Sequence, residues 1–219
     1  MFQAIIFDLD GTLLDTIDDL ADSMNEVLCK KKFPTHSIDK YKLYVGDGVE
    51  KLIVKSLPEK FKENDSLIQA CMHEFKEEYA KRWNKKTKPY EGIGEMLDKL
   101  FMKEIKVAIL SNKPDEFTKL CVKKLLPGWD FAMVKGTAED GIKKPDPRAG
   151  KSVAEQLQVR PADVLYIGDT NTDMLTAVNA GFYPIGVSWG FRSKKELIES
   201  GAKKIIDKPM QIIELLGAR

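Results

Sequence analysis

Much is scarce in this sequence, and each scarcity excludes something. Its three cysteines, Cys29, Cys71 and Cys121, are widely spaced and form no C-x-x-C pair. That argues against a disulfide framework and a thiolate zinc site, and it fits a reducing compartment. The two histidines, His36 and His73, read as surface residues rather than ligands. Net charge is nearly absent, at +1 from 35 basic and 34 acidic residues. No global field therefore recruits nucleic acid or an anionic membrane, and small partners are expected. Lys30-Lys31-Lys32 and Lys85-Lys86 read as solvated helix ends, because acids are equally abundant nearby. No stretch approaches the roughly 18 apolar residues of a membrane span. The run before Asp8 is too short for a signal peptide, so a cytoplasmic protein is expected. Internal repeats and low-complexity segments are absent as well.

What is present begins at the amino-terminal end. The apolar run Ala4-Ile5-Ile6-Phe7 leads directly into Asp8-Leu9-Asp10-Gly11-Thr12. Two carboxylates thus emerge at the carboxyl end of a predicted buried strand, where open α/β sheets bind ligands. Such charges need a metal ion, a lysine or backbone N–H groups as partners. Taken alone, Asp10-Gly11 is also a good hairpin turn.

From Ile17 to Lys32 the apolar residues Ile17, Leu20, Ala21, Met24, Val27 and Leu28 recur at helical spacing, with Thr16 as cap and Asp18 and Asp19 in the first turn. A second helix fits Ser66 to Trp83, and a loop at Tyr44-Val45-Gly46-Asp47-Gly48 precedes a short helical pattern. No strand signal interrupts residues 16–85, whereas strands are expected at Ile105–Leu110, Phe131–Val134, Val164–Ile167, Pro184–Val187 and Lys204–Ile206. The shift predicts an α/β protein: a Rossmann-like, doubly wound parallel sheet formed by residues 1–15 and 89–219, with a helical cap inserted at 16–88.

Three later segments carry polar clusters. Ser111-Asn112-Lys113-Pro114 follows a strand, and Pro114 is expected at the first helical position, where free N–H groups and the Ser111 hydroxyl would cradle a phosphate. Gly141-Ile142-Lys143-Lys144-Pro145 sets a lysine against a proline that favours extended backbone before it. Gly168-Asp169-Thr170-Asn171-Thr172-Asp173 places two more acids at a strand end. A calcium loop is excluded there, since Met174 stands where glycine is needed and Ala180 where the bidentate glutamate is needed. A turn and helix cap is the plain alternative.

In this order the clusters resemble the haloacid dehalogenase-like hydrolase superfamily. Asp8 to Thr12, Ser111, Lys144, and Gly168-Asp169 with Asp173 match its four motifs. Within it, Asp8 to Thr16 with Asp18-Asp19-Leu20, and Ser188-Trp189-Gly190-Phe191, look most similar to phosphoglycolate phosphatases. The resemblance implies a magnesium-dependent phosphatase of a small phosphorylated metabolite. Asp8 would be the nucleophile and Asp10 the acid and base; Asp8, Asp10 (through its carbonyl) and Asp169 would bind Mg²⁺. Gly11, Thr12, Ser111 and Asn112 would surround the phosphate, Lys144 would offset charge, and Asp173 would support it from behind. Lys143 is the alternative lysine if the loop register differs.

The resemblance also makes Gly46, Asp47 and Gly48 the cap's specificity loop. Asp10 favours phosphoryl transfer over carbon–halogen cleavage, and Leu20 stands where related sugar phosphomutases carry a histidine. Phosphoglycolate is the leading substrate. A pyrophosphatase, a nucleotide or sugar phosphatase, and a regulatory protein that has lost catalysis are the alternatives. A monomer or homodimer is expected.

Overall fold

The computed structural model describes residues 2–103, 105–137 and 141–217. The chain divides into two compact units, Met1–Leu14 with Pro89–Arg219, and Asp15–Lys88. Among the described residues no helix is long and apolar enough to cross a membrane.

The first unit is built on strands β1 (Ala4–Phe7), β4 (Lys106–Pro114), β5 (Met133–Thr137), β6 (Val164–Gly168), β7 (Tyr183–Val187) and β8 (Lys204–Ile206). They form one six-stranded sheet in the order β5-β4-β1-β6-β7-β8, parallel throughout. A parallel sheet is covered on both faces, so its inner strands are continuous apolar runs rather than alternating ones. That is why Ala4-Ile5-Ile6-Phe7 has no polar residue and is wholly buried. On one face, Ala149, Val153 and Ala154 of α7 (Pro147–Gln156) join Ala177 and Ala180 of α8 (Asn171–Ala180). They pack with Phe182 against Ile6, Ala108 and Tyr166. The unit's other helices are α5 (Ile93–Phe101), α6 (Asp115–Leu125), α9 (Lys194–Glu199) and α10 (Gln211–Gly217).

Register places the functional segments. Phe7 pairs with Ile109 on one side and Ile167 on the other, so the segments that follow these three residues start from one level of the sheet. Two expectations need correction here. The β5 strand lies at Met133–Thr137, later than Phe131–Val134. Pro114 does not begin α6; it ends β4 in extended backbone and pairs with Thr137, so the helix starts at Asp115.

In the second unit, α1 (Ile17–Lys30), α2 (Ile38–Tyr44), α3 (Val49–Ser56) and α4 (Asp65–Arg82) follow one another. The short strands β2 (Leu14–Asp15) and β3 (Lys88–Pro89) pair where the chain leaves and rejoins the first unit. The α2 helix has no counterpart in the sequence reading, because only Tyr41 of its residues is buried and no apolar stripe marks it. Thr16 stands at the N-cap of α1 but makes no capping bond, and its hydroxyl is without a partner. Asp19 does not simply face the helix dipole. It is buried and accepts from the Lys86 amide (3.0 Å), the Thr87 amide (2.9 Å) and the Thr87 hydroxyl (2.7 Å).

His36 is also not a plain surface residue. It is half-buried beside Tyr41 and Tyr44, and its Nε2 donates to the Ser56 carbonyl at 2.8 Å. His73 is exposed and lies 3.4 Å from Glu77. Lys30 and Lys31 are ion-paired rather than only solvated, with Glu78 and Glu74, each at 2.7 Å. Lys86 likewise pairs with Asp22 at 2.8 Å.

Glu78 is the electrostatic centre of this unit: buried on α4, it accepts from Lys30 (2.7 Å), Lys81 (2.9 Å) and Arg82 (2.7 Å). The hydrogen bonds from Lys30 and Lys81 lower its carboxyl from the ordinary 4.5 to about 2. A depressed folded value contributes stability above the unfolded value, and that stability is lost as pH falls through the folded one. Glu78→Gln is therefore expected to cost roughly 1–3 kcal/mol near neutrality, in line with hydrogen bonds to a charged group. In urea unfolding, the gap between wild type and variant should close between pH 4.5 and about 2; a gap independent of pH would show that packing, not charge, holds Glu78.

Candidate active site

Asp8 is the first residue beyond β1, and its amide donates to Ile167 O at 2.9 Å, which ties it to β6. The carboxylate is buried. Its Oδ1 accepts from its neighbour's amide, Leu9 N, at 2.7 Å and lies 2.9 Å from Lys144 Nζ. Both donors fall on Oδ1, leaving Oδ2 without a protein donor among the described residues.

After Asp8 the chain closes on itself. The amides of Thr12, Leu13 and Leu14 all donate to the Leu9 carbonyl, and Gly11 N donates to Leu14 O. Asp10-Gly11 therefore lies in a turn, but no hairpin follows it, since β1 pairs in parallel with β4 and β6. Gly11 has φ 84°, a left-handed conformation suited to glycine. A Cβ there would run into the Asp169 carboxylate and the Phe191 ring.

Asp169 follows β6 and is fully buried. Its Oδ1 accepts from the Thr12 hydroxyl at 2.9 Å, and its Oδ2 from the Phe191 amide at 2.8 Å. These donors are neutral. Burial, then the charges of Asp173 and Asp8, push the Asp169 carboxyl well above the carboxylate range, against the pull of Phe191 and Thr12. The same causes act on Asp8: burial first, then Asp173, outweigh Lys144 and raise it to about 7.

Asp173 is bonded on both oxygens. Oδ1 accepts from Lys144 Nζ (2.7 Å) and the Tyr166 hydroxyl (3.2 Å), and Oδ2 from the amide (3.0 Å) and hydroxyl (2.6 Å) of Thr170. With Thr170 it forms a capping box that starts α8, so the helix-cap reading of this segment holds. Lys144 sits buried between Asp8 and Asp173. Burial lowers its ammonium, but Asp173 and Asp8 outweigh that and hold it well above its ordinary value. The lysine whose ammonium reaches the acids is Lys144, not Lys143.

Ser111, Asn112 and Lys113 are consecutive and all buried, which a regular strand would not arrange on one side. The β4–β5 register shifts between Leu110 and Pro114, and such irregularities re-aim side chains. Asn112 turns its side chain to Lys144, donating to its carbonyl (3.0 Å) and accepting from its amide (2.9 Å). Lys113 Nζ reaches both carboxylate oxygens of Asp10, at 3.0 and 2.8 Å. Ser111 Oγ accepts from the Lys113 amide at 3.3 Å.

Asp8, Asp10, Gly11, Thr12, Ser111, Asn112, Lys144, Asp169 and Asp173 are thus linked by bonds and contacts within one unit. Gly46, Asp47 and Gly48 belong to the other, where Asp47 pairs with Lys55 at 2.8 Å. Sequence reasoning gave no role to Lys113, Thr170, Tyr166 or Gly190. For Gly190 the only signal was its place in a resembling stretch.

Asp8, Asp169 and Asp173 each offer a carboxylate oxygen, and these lie within 4.8 Å of one another. Asp173 is the poorest ligand of the three, because four donors already occupy its oxygens. Four acids, Asp8, Asp10, Asp169 and Asp173, face two ammonium groups, Lys113 and Lys144. Fully ionised, the group carries two uncompensated negative charges, and its donors are hard oxygens that suit a small divalent cation.

The description "Haloacid dehalogenase-like hydrolase" belongs to the family that matches residues 5–187 of the chain. A phosphoglycolate phosphatase of Psychrobacter arcticus is 31% identical over 223 residues, covering 98% of this chain and 95% of that protein. One from Vibrio parahaemolyticus is 29% identical over 219 residues, covering 98% and 96%. A crystal structure from Lactobacillus delbrueckii subsp. bulgaricus, named provisionally as a phosphoglycolate phosphatase, superposes with a TM-score of 0.90 at 29% identity, covering 98% of each chain.

The packing around Asp169 generates a test. A Cβ on Gly190 would overlap the Asp169 side chain and lie 2.5 Å from the Gly11 carbonyl, whereas one on Gly128 would meet nothing within 4 Å. Gly190→Ala is expected to lower stability by roughly 1–3 kcal/mol, as overpacking does, with Gly128→Ala near neutral in the same thermal melt. Equal melting of the two variants would contradict the packing described.

Proposed function

The chain belongs to the haloacid dehalogenase-like hydrolase family, and from that premise we propose that it is a magnesium-dependent phosphatase acting on phosphoglycolate through an aspartyl-phosphate. The observation that carries this reading is Asp8, a buried carboxylate pinned through Oδ1, with Oδ2 left without a protein donor among the described residues. The substrate is favoured by the relatives named phosphoglycolate phosphatase.

Hydrolysis of a phosphate monoester needs a nucleophile and a means of holding the negative charge of the phosphoryl group. Asp8 attacks the phosphorus, forming a P–O bond as the bond to the leaving oxygen breaks. Asp10 gives its proton to the departing alkoxide. It then takes a proton from the water that attacks the aspartyl-phosphate; the bond to Asp8 breaks, and inorganic phosphate leaves. The Ser111 hydroxyl and the Asn112 amide hold phosphoryl oxygens, and the Lys144 ammonium offsets the charge gathered at Asp8.

Asp8, Asp169 and the Asp10 backbone carbonyl would hold Mg²⁺. When bound, the ion supplies the positive charge that lets a carboxylate and a phosphate dianion approach. Asp173 instead orients Lys144. In the second unit, the Gly46-Asp47-Gly48 loop is the candidate for substrate selection.

Activity against a panel of phosphoglycolate, pyrophosphate, a nucleoside monophosphate and a sugar phosphate tests the substrate. Phosphoglycolate is expected to give the highest kcat/KM, and a preference for another member would reassign the substrate. Chelation with EDTA should abolish turnover and added Mg²⁺ restore it. Asp8→Asn should lose at least ~10³-fold in kcat with the fold intact by circular dichroism; substantial turnover by that variant would refute Asp8 as nucleophile.

A further inference from the structure

Lys113 is not required by the reaction as described, yet it is among the most enclosed charged groups of the first unit. Its side chain is 3% exposed, and its ammonium contacts both carboxylate oxygens of Asp10, whose own side chain is 18% exposed. A lysine placed only for solubility would extend its amine into water. This one is held at its backbone: its amide donates to Ser111 Oγ (3.3 Å), and its carbonyl accepts from the buried Thr118 hydroxyl (3.2 Å). Gly136 allows close packing here, since a Cβ on it would lie 2.6 Å from the Lys113 carbonyl. The irregular register of β4 turns this residue inward beside Ser111 and Asn112.

We propose that Lys113 is a positioning residue that fixes the carboxyl group of Asp10 for proton transfer to the leaving oxygen. The inference rests on the reading of Asp10 as the proton donor. A short aspartate on a turn can rotate about its side-chain bonds; an ammonium set against both oxygens from a rigid strand restricts that rotation. Misplacement of a reacting group by about 1 Å can cost on the order of 10²-fold. Lys144 does not serve Asp10 in this way, since its ammonium is shared between Asp8 and Asp173.

The test compares kcat/KM, which reports the steps up to transfer from the substrate, for two probes. Phosphoglycolate has a basic alkoxide leaving group that needs a proton, whereas the p-nitrophenolate of p-nitrophenyl phosphate leaves without one. Lys113→Met is expected to lose roughly 10- to 100-fold on phosphoglycolate and within about 3-fold on p-nitrophenyl phosphate. Lys113→Arg, which can still grip both oxygens, should recover much of the loss. Asp10→Asn should show the same selective loss, and adding Lys113→Met to it should change nothing further.

Equal losses on both probes, or a further loss in the Asp10→Asn background, would overturn the proposal and assign Lys113 to phosphate binding or folding. If Lys113→Met does not fold, Lys113→Gln takes its place, with the same ratio deciding. A wild-type enzyme inactive on both probes, or an Asp10→Asn variant without selective loss, would instead refute the reading of Asp10 on which the proposal stands.

Discussion

One buried ammonium organises this site. Lys144 lies between Asp8 and Asp173 with almost no exposure, 2.9 Å from one and 2.7 Å from the other. Removing a charge from water is expensive, and it is tolerated only with good geometry and satisfied neighbours. Both conditions are met here. Asn112 binds the Lys144 backbone from β4, while Thr170 and Tyr166 complete the coordination of Asp173 from β6 and the start of α8. The ends of three adjacent strands, β1, β4 and β6, are thus referred to a single cation.

The surrounding acids extend this arrangement without being neutralised by it. Asp169 meets only neutral donors, and its approach to the Asp8 segment depends on Gly11 and Gly190 having no side chains. Crowding and charge are therefore coupled: the glycines bring carboxylates close, and closeness raises the electrostatic cost of ionising them together. The two lysines divide the remaining work. Lys144 binds the dry centre, and Lys113 holds the more exposed rim at Asp10.

The sheet was legible because strands covered on both faces must be apolar throughout, as Ala4-Ile5-Ile6-Phe7 and the β6 run are. Asp8 and Asp169 were legible because an acid directly after such a run needs a reason. Lys113 was not, since strand alternation would place it opposite Asn112; only the shifted register brings both inward. Pro114 misled for a related reason, as β4 continues through it before α6 begins. The α2 helix buries a single residue and so left no periodic trace. His36 gave no signal of its hydrogen bond to Ser56, because its partner is a backbone carbonyl, which no side-chain pattern encodes.

Asp19 has a consequence for how the chain tolerates its long insertion. By accepting from the amides of Lys86 and Thr87 and from the Thr87 hydroxyl, it fastens the last residues of the second unit to its first helix. The sheet-forming unit then meets an excursion whose two ends are already brought together. Loop-closure entropy depends on the length of flexible chain between two fixed points. With the ends tied at Asp19, that length is the few residues on either side, whatever lies between them. An insertion bounded in this way can lengthen, shorten or diversify with little entropic penalty to the unit that carries the acids.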